Sequence, residues 1–377
     1  MELEAGGVPI LVLTVIVALW SLAAPWSNAG ELDSLSVFYF GNSLTGNTMP
    51  TLHGELGRSA GKRWLVERSQ GAGWQVWQHL YLDSRRSHRE RLASGGWDAI
   101  VVQPFGSRLF DEMITEMWQG KVSFDEPTNL GDLHCTAGLV ELLLKGNPDG
   151  RALVYSDWPG MKLEVTREQN RLSKDLKHAE RWHQIMEPFR RSFDYEAAWL
   201  TEYDEEAAAE KVPWKREGVA SRSHDYQLMD GLRKKFAHMW REGRLELIPV
   251  GDVFFALDRK IRNGHLEGLQ GIGDYYTNGV HIRSGLPRYT TAATFYAVLF
   301  RQHPRSLDWR IYDERANYLN TDGWVCCQKD LGVHLDITEK RAEAVNETIW
   351  DVVTNHPYTH LNARADSDDS GQPATAP

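Results

Sequence analysis

Cysteine is scarce: three in 377 residues, with Cys326 and Cys327 adjacent and Cys135 distant. A disulfide framework is therefore excluded, and no Cys-x-x-Cys or Cys/His spacing is present for structural zinc. Fourteen histidines invite a metal reading, yet no His-Glu-x-x-His or comparable pair occurs, so no metal is expected. No Gly-x-Gly-x-x-Gly or Walker loop follows a strand, which leaves no phosphate cradle and no expected cofactor. Positive charge is in deficit, 42 Lys+Arg against 52 Asp+Glu, for a net charge of -10. Nucleic acid is thus excluded as the main partner, because a phosphate backbone needs a concentrated basic surface. No internal repeat is visible. What is present suffices for a buried core: 42% hydrophobic and 25% charged residues. The length allows one large α/β domain or two modest ones, at ~100–200 residues per domain.

One long apolar run stands apart. Val8 to Trp26 contains no charge and is long enough to span a bilayer, which needs ~20 apolar residues. Ser27-Asn28-Ala29 before Gly30 supplies small residues suited to cleavage. Against this, Glu2 and Glu4 precede the run and the first basic residue is Arg58, whereas signal peptides begin basic. Residues 1–29 are expected to be a signal peptide or an N-terminal anchor, with the rest exported. Membrane contact is expected only through residues 8–26, if they are retained.

Further along, short β-rich runs alternate with longer helical patterns, the signature of a parallel sheet covered by helices. The expected strands are Leu35–Phe40, Trp64–Arg68, Ala99–Gln103, Ala152–Ser156 and Leu245–Val250. Helices are expected over Met49–Ala60, Trp74–Leu82, Leu139–Leu144 and Tyr289–Phe300. Thr338–Val353 reads as an amphipathic helix, with Ala342, Val345, Ile349 and Val352 along one face. Residues from about 159 to 244 exceed what a crossover requires and read as a helical insertion. Its acidic run Glu202–Glu210 fits a solvated helix face or a lid over the strand ends. Residues 306–364 form a C-terminal helical extension, and 365–377 a low-complexity, disordered tail.

Ser43 directly follows the first strand, in a turn that leads into a helix, where a hydroxyl is exposed to ligand. A serine alone is a weak nucleophile and needs a base in hydrogen-bond reach. His281, after the last strand and before the final sheet helix, is the candidate base. Both positions fall on one rim of a doubly wound sheet.

The two blocks FYFGNSLTG and NGVHIRSG together resemble the SGNH (GDSL-type) serine hydrolases, over roughly Ser34 to His303. The first matches that family's Gly-[Asp/Asn]-Ser block and the second its Asp-x-x-His block, with a glycine, Gly285, four residues after the histidine. The resemblance implies an α/β class, three-layer α/β/α sandwich, flavodoxin-like with a central five-stranded parallel sheet. It implies Ser43 as nucleophile, His281 as base, and an oxyanion hole of the Ser43 and Gly73 N–H groups, with Gly71 as the alternative to Gly73. In the third block the family's asparagine is missing, and WDAIVVQPFGS is similar to a branch in which Gln103 inherits the donor role.

The acid is the main departure. Asn278 stands where the family has aspartate, and an amide offers the imidazolium no charge. Asp274 substitutes for it, or Ser43 and His281 work as a dyad oriented by Asn278 or a carbonyl, or the site has kept only binding. A working dyad or a substituted acid is the favoured expectation. Asn42, Trp74 and Trp158 are the candidate substrate contacts, the tryptophans as sugar-stacking platforms. A turn with a packed ring is the competing account of Asp157-Trp158-Pro159. The expected function is an exported esterase for small acyl groups, acetyl first, on a small-molecule or carbohydrate ester. The alternatives are a non-catalytic carbohydrate or envelope binder on the same scaffold, and a sugar O-acyltransferase.

Overall fold

The computed structural model describes residues 32–104, 131–160, 182–200, 221–277, 280–314 and 334–361. The apolar run 8–26, the acidic run 202–210, Asn278, Cys326, Cys327 and the tail 365–377 lie outside the described residues. Among the described residues, no helix is long and apolar enough to cross a membrane.

Five strands form one sheet: β1 (Ser34–Gly41), β2 (Arg63–Gln70), β3 (Ala99–Val102), β4 (Arg151–Ser156) and β5 (Leu245–Pro249). Their order is β2-β1-β3-β4-β5, and every pairing is parallel. That is the flavodoxin-like order expected above. Position in the sheet explains each strand's composition. β1 and β3 lie between neighbours and read as continuous apolar runs, AIVV in β3 being buried throughout. β2 is an edge, carries Arg63, Glu67 and Arg68, and leaves Leu65 44% exposed. β5, the opposite edge, is covered instead, because the Leu247 N–H donates to the Tyr358 carbonyl at 2.9 Å.

Eight helices are used below: α1 (Ser43–Asn47), α2 (Pro50–Ser59), α3 (Val76–Tyr81), α4 (Asp132–Gly146), α5 (Ser221–Lys235), α6 (Val250–Arg262), α7 (Leu286–Phe300) and α8 (Glu339–Asn355). Alternate strand residues point to opposite faces, which sorts these helices into two outer layers. Phe38, Phe40, Ile100, Val102, Val154 and Leu247 pack with Val76, Leu139, Val140, Leu143, Leu228 and Leu232 from α3, α4 and α5. On the other face Tyr39 and Tyr155 meet Phe295 of α7 edge-on, with ring centroids 5.7 and 4.8 Å away. Each large apolar side chain so buried contributes about 1.5–3 kcal/mol. All residues of α7 are buried, as befits a helix covered on one side by the sheet and on the other by α8. In α8 the buried stripe runs through Ala342, Val345, Ile349 and Val353; Val352, expected on it, is only half-buried.

The order reverses between β1 and β3, so the crevice beyond their carboxyl ends is where a ligand would bind. Ser43 lies two residues past β1, and Gln103 one residue past β3.

Candidate active site

Ser43 opens α1, and Asn42 caps it by accepting the Leu44 N–H at 2.9 Å. The Asn42 side-chain amide also donates to the Trp74 carbonyl at 3.3 Å, and the residue is wholly buried. Both ends of its side chain are engaged in building the turn. Asn42 is therefore a structural residue, which corrects its expected role as a substrate contact.

His281 reaches the turn from 238 residues away, its Nε2 standing 2.9 Å from Ser43 Oγ. Both side chains are half-buried, so a ligand can approach them. The histidine sits in a narrow hairpin. Tyr276 pairs with Ile282 across it, and the Thr277 N–H donates to the His281 carbonyl at 2.8 Å. Two further contacts hold this loop against the serine turn. Asn47 Oδ1 accepts the Ile282 N–H at 3.1 Å, and Trp158 Nε1 donates to the Val280 carbonyl at 2.7 Å. Burial, and after it the Arg288 cation at the start of α7, lowers the His281 pKa to about 4. A triad carboxylate would push in the opposite direction.

Asp274 does not serve as the substitute acid. It lies in the short 3-10 turn Ile272–Tyr275, its carboxylate accepts the Gln270 N–H at 2.7 Å, and it makes no hydrogen bond or ion pair with His281. An otherwise unsatisfied amide within the same turn is closer to hand than a ring across the hairpin. Trp158 follows the packed-ring account rather than that of a substrate contact. It is 2% exposed and stacks on Phe254 with centroids 5.1 Å apart, so no sugar can reach its faces. Trp74 is half-buried in the turn before α3, with the Arg85 guanidinium 4.3 Å above its ring.

The donors around Ser43 divide sharply. The Asn42 and Thr45 N–H groups both donate to Gln103 Oε1, at 3.2 and 3.0 Å, and the Thr45 hydroxyl joins them at 2.7 Å. Among the described residues the Ser43 N–H has no acceptor. Gly71 donates its N–H to the Gly41 carbonyl at 3.3 Å, whereas the Gly73 N–H has no acceptor among the described residues. Gly73 adopts φ 66°, a left-handed conformation that favours glycine. Gln103 is buried, and its amide nitrogen donates one hydrogen to Asp157 Oδ2 at 3.2 Å. An amide carries two such hydrogens, so a second remains. Among the described residues, the Ser43 N–H, the Gly73 N–H and the second Gln103 amide hydrogen are without an acceptor.

Sequence reasoning missed Asn47 and Arg288, and assigned neither the Gln103 contact of Asp157 nor the anchoring role of Trp158. Only Trp158 carried a signal, as an aromatic residue immediately beyond a strand. A metal-type grouping also appears among the described residues, Asp313, His334 and Asp336, with ligand atoms all within 4.8 Å. Hydrogen bonds already account for it. His334 Nε2 faces Asp313 Oδ1 at 2.8 Å, its Nδ1 faces Ser284 Oγ at 3.1 Å, and Asp313 also accepts the Ile337 N–H at 3.0 Å. These contacts join two short paired strands, β6 (Ser284–Gly285) and β7 (His334–Leu335).

Fold and site together define an α/β chain with an SGNH-like arrangement: the 2-1-3-4-5 parallel sheet, a serine after the first strand and a histidine bonded to it. No family model and no curated protein matches the sequence. Solved structures do resemble it. A DUF4886 family protein from Bacteroides uniformis is 12% identical, with 88% of this chain and 99% of that one covered at a TM-score of 0.46. A protein of Slackia heliotrinireducens, provisionally named an SGNH hydrolase, is 15% identical over 71% of this chain and 97% of its own, at 0.33. A Streptococcus pneumonia protein provisionally named a platelet activating factor is 11% identical over 76% and 98%, at 0.32. Likeness at this level carries no chemistry, which has to come from the side chains themselves.

Proposed function

We propose that the chain is a serine esterase acting on small acyl esters. The observation that carries this reading is the 2.9 Å contact between His281 Nε2 and Ser43 Oγ, just beyond the end of β1. Ser43 Oγ attacks the ester carbonyl while His281 Nε2 takes its proton. Negative charge develops on the carbonyl oxygen and is met by the Ser43 N–H, the Gly73 N–H and the Gln103 amide. The tetrahedral intermediate collapses, His281 returns the proton to the departing alcohol, and an acyl-Ser43 remains. Water then attacks under the same base, releasing carboxylate and restoring the serine.

A histidine of lowered pKa is neutral at pH 7 and so is ready to act as base, although a weaker one than free imidazole. The acyl group is proposed to be acetyl and the alcohol a carbohydrate hydroxyl, on the resemblance of the two sequence blocks. Export through the N-terminal apolar run belongs to the same proposal. One observation favours a second reading, a carbohydrate binder that has lost turnover: Asp274 is turned to Gln270 rather than His281.

Reaction of the full-length chain with a fluorophosphonate separates the two, since the reagent phosphonylates only an activated serine. The esterase reading expects labelling that disappears in Ser43→Ala. A folded wild type that stays unlabelled overturns it in favour of the binder.

A further inference from the structure

Gln103 is held at both ends of its amide. Asn42 N–H, Thr45 N–H and the Thr45 hydroxyl all donate to Oε1, and two of these are backbone groups, so this atom is the carbonyl oxygen. The nitrogen must point the other way. Room for the arrangement depends on Gly41, where an added Cβ would stand 2.9 Å from Gln103 Oε1. An amide fixed only at its oxygen can still rock. What meets the nitrogen is Asp157, the residue after β4, whose Oδ2 accepts one amide hydrogen at 3.2 Å. β3 and β4 are registered neighbours, with Val102 opposite Val154, so Gln103 is level with Tyr155 and Asp157 follows two residues further along at the same rim.

We propose that Asp157 is a positioning residue, holding one Gln103 amide hydrogen so that the other faces the oxyanion formed at Ser43. The inference rests on the esterase reading. A carboxylate suits this task because either of its oxygens can accept the amide hydrogen, while the three donors on Oε1 keep the amide from flipping. Its charge works against it, since an anion beside a developing oxyanion is repelled. Asp157 therefore acts by orientation, and a neutral acceptor of the same shape should do as well. Nearby, burial and then the Asp157 charge push the Asp225 carboxyl well above its ordinary range.

The test uses the full-length chain, an activated acetyl ester and a fluorophosphonate, on variants whose melting matches wild type. Gln103→Ala is expected to lower kcat by roughly a hundredfold with KM little changed, as for loss of one oxyanion donor. Asp157→Ala is expected to lower kcat about tenfold, and Asp157→Asn to recover most of that loss. The double variant Asp157→Ala/Gln103→Ala is expected to be no worse than Gln103→Ala alone, because Asp157 acts through Gln103. If Asp157→Ala melts early, Asp157→Leu, of similar shape and without an acceptor, takes its place. Three results overturn the inference: an unimpaired Asp157→Ala, an Asp157→Asn as slow as Asp157→Ala, or losses that multiply in the double variant. Each leaves the esterase reading standing, whereas a wild type that neither hydrolyses nor labels removes both.

Discussion

Two serine–histidine pairs in this molecule share one distance. Ser43 and His281 are 2.9 Å apart, and so are Ser69 and His79. Both rings have lowered pKa values, about 4 for His281 and about 3 for His79, with burial the leading cause in each. The surroundings differ. Ser43 is half-buried, lies beyond the end of β1 and has unengaged N–H donors near it. Ser69 is wholly buried within β2, and His79 is packed between Phe40 and Trp74 with centroids 5.9 and 5.3 Å away. A hydrogen-bonded serine and histidine are thus not by themselves a catalytic pair. Access and open donors make the difference, and neither is visible in the distance.

The sharpest way to break this comparison is to remove each serine in turn. Ser43→Ala is expected to cost at least ~10³-fold in ester hydrolysis, in line with nucleophile removal elsewhere, and to leave melting nearly unchanged. Ser69→Ala is expected to leave turnover intact but to cost about 1–3 kcal/mol of stability, because His79 loses a buried partner. Turnover assays and thermal melts of both variants check this; equal losses of turnover would erase the distinction. The histidines should divide in the same manner, with His281→Gln slowing turnover by a factor of ~10³ and His79→Gln registering in the melt.

Acidity provides a third, gentler contrast. The free enzyme's base sets the acid limb of kcat/KM. With His281 at about 4, activity is expected to stay level through pH 6.5, the ordinary histidine value, and to fall only towards pH 4. An acid limb centred near 6.5 would show that the lowering by burial is offset and that the ring titrates as an ordinary histidine. His79 enters through stability. Its folded pKa lies below its unfolded one, so the unfolded chain binds the extra proton between 6.5 and about 3. Stability therefore declines as pH drops through that window, whether or not turnover does. Melting curves of wild type and His79→Gln, alongside rates, isolate the His79 share from those of His281 and His53, whose pKa values are also lowered.

The fold was largely legible because its signals are periodic or local. LSVFYF and AIVV read as interior strands since parallel strands are buried on both faces, and the serine turn follows β1 at a fixed offset. The Ser43–His281 pairing was legible from a serine turn and a histidine loop on one rim, strengthened by the resemblance of the two blocks, and not from spacing alone. What resisted reading was the direction of individual polar side chains. Asn42 looked available but is fully engaged as a cap, and Asp274 looked like a spare acid but answers the Gln270 amide. Such choices depend on which orphaned N–H lies nearest in three dimensions, and no period in the sequence encodes that. The partner of Asp157 stayed hidden for the same reason: it lies 54 residues away on a neighbouring strand end.

The mildest expected effect concerns Trp158, whose ring packs like any core aromatic while its N–H holds the loop carrying His281. Trp158→Phe preserves a ring to stack on Phe254 and removes only the hydrogen bond to the Val280 carbonyl. One neutral hydrogen bond contributes about 1 kcal/mol net. If the whole of it bears on how often His281 meets Ser43, turnover falls by no more than roughly fivefold. The fluorophosphonate labelling rate, which needs the same encounter, is expected to fall in parallel. A variant that melts about 1 kcal/mol lower but labels at the wild-type rate would mean the loop is set by Asn47 and the hairpin alone. The Ser43–His281 pair would then be as rigidly built as the buried Ser69–His79 pair, and would differ from it only in what can reach it.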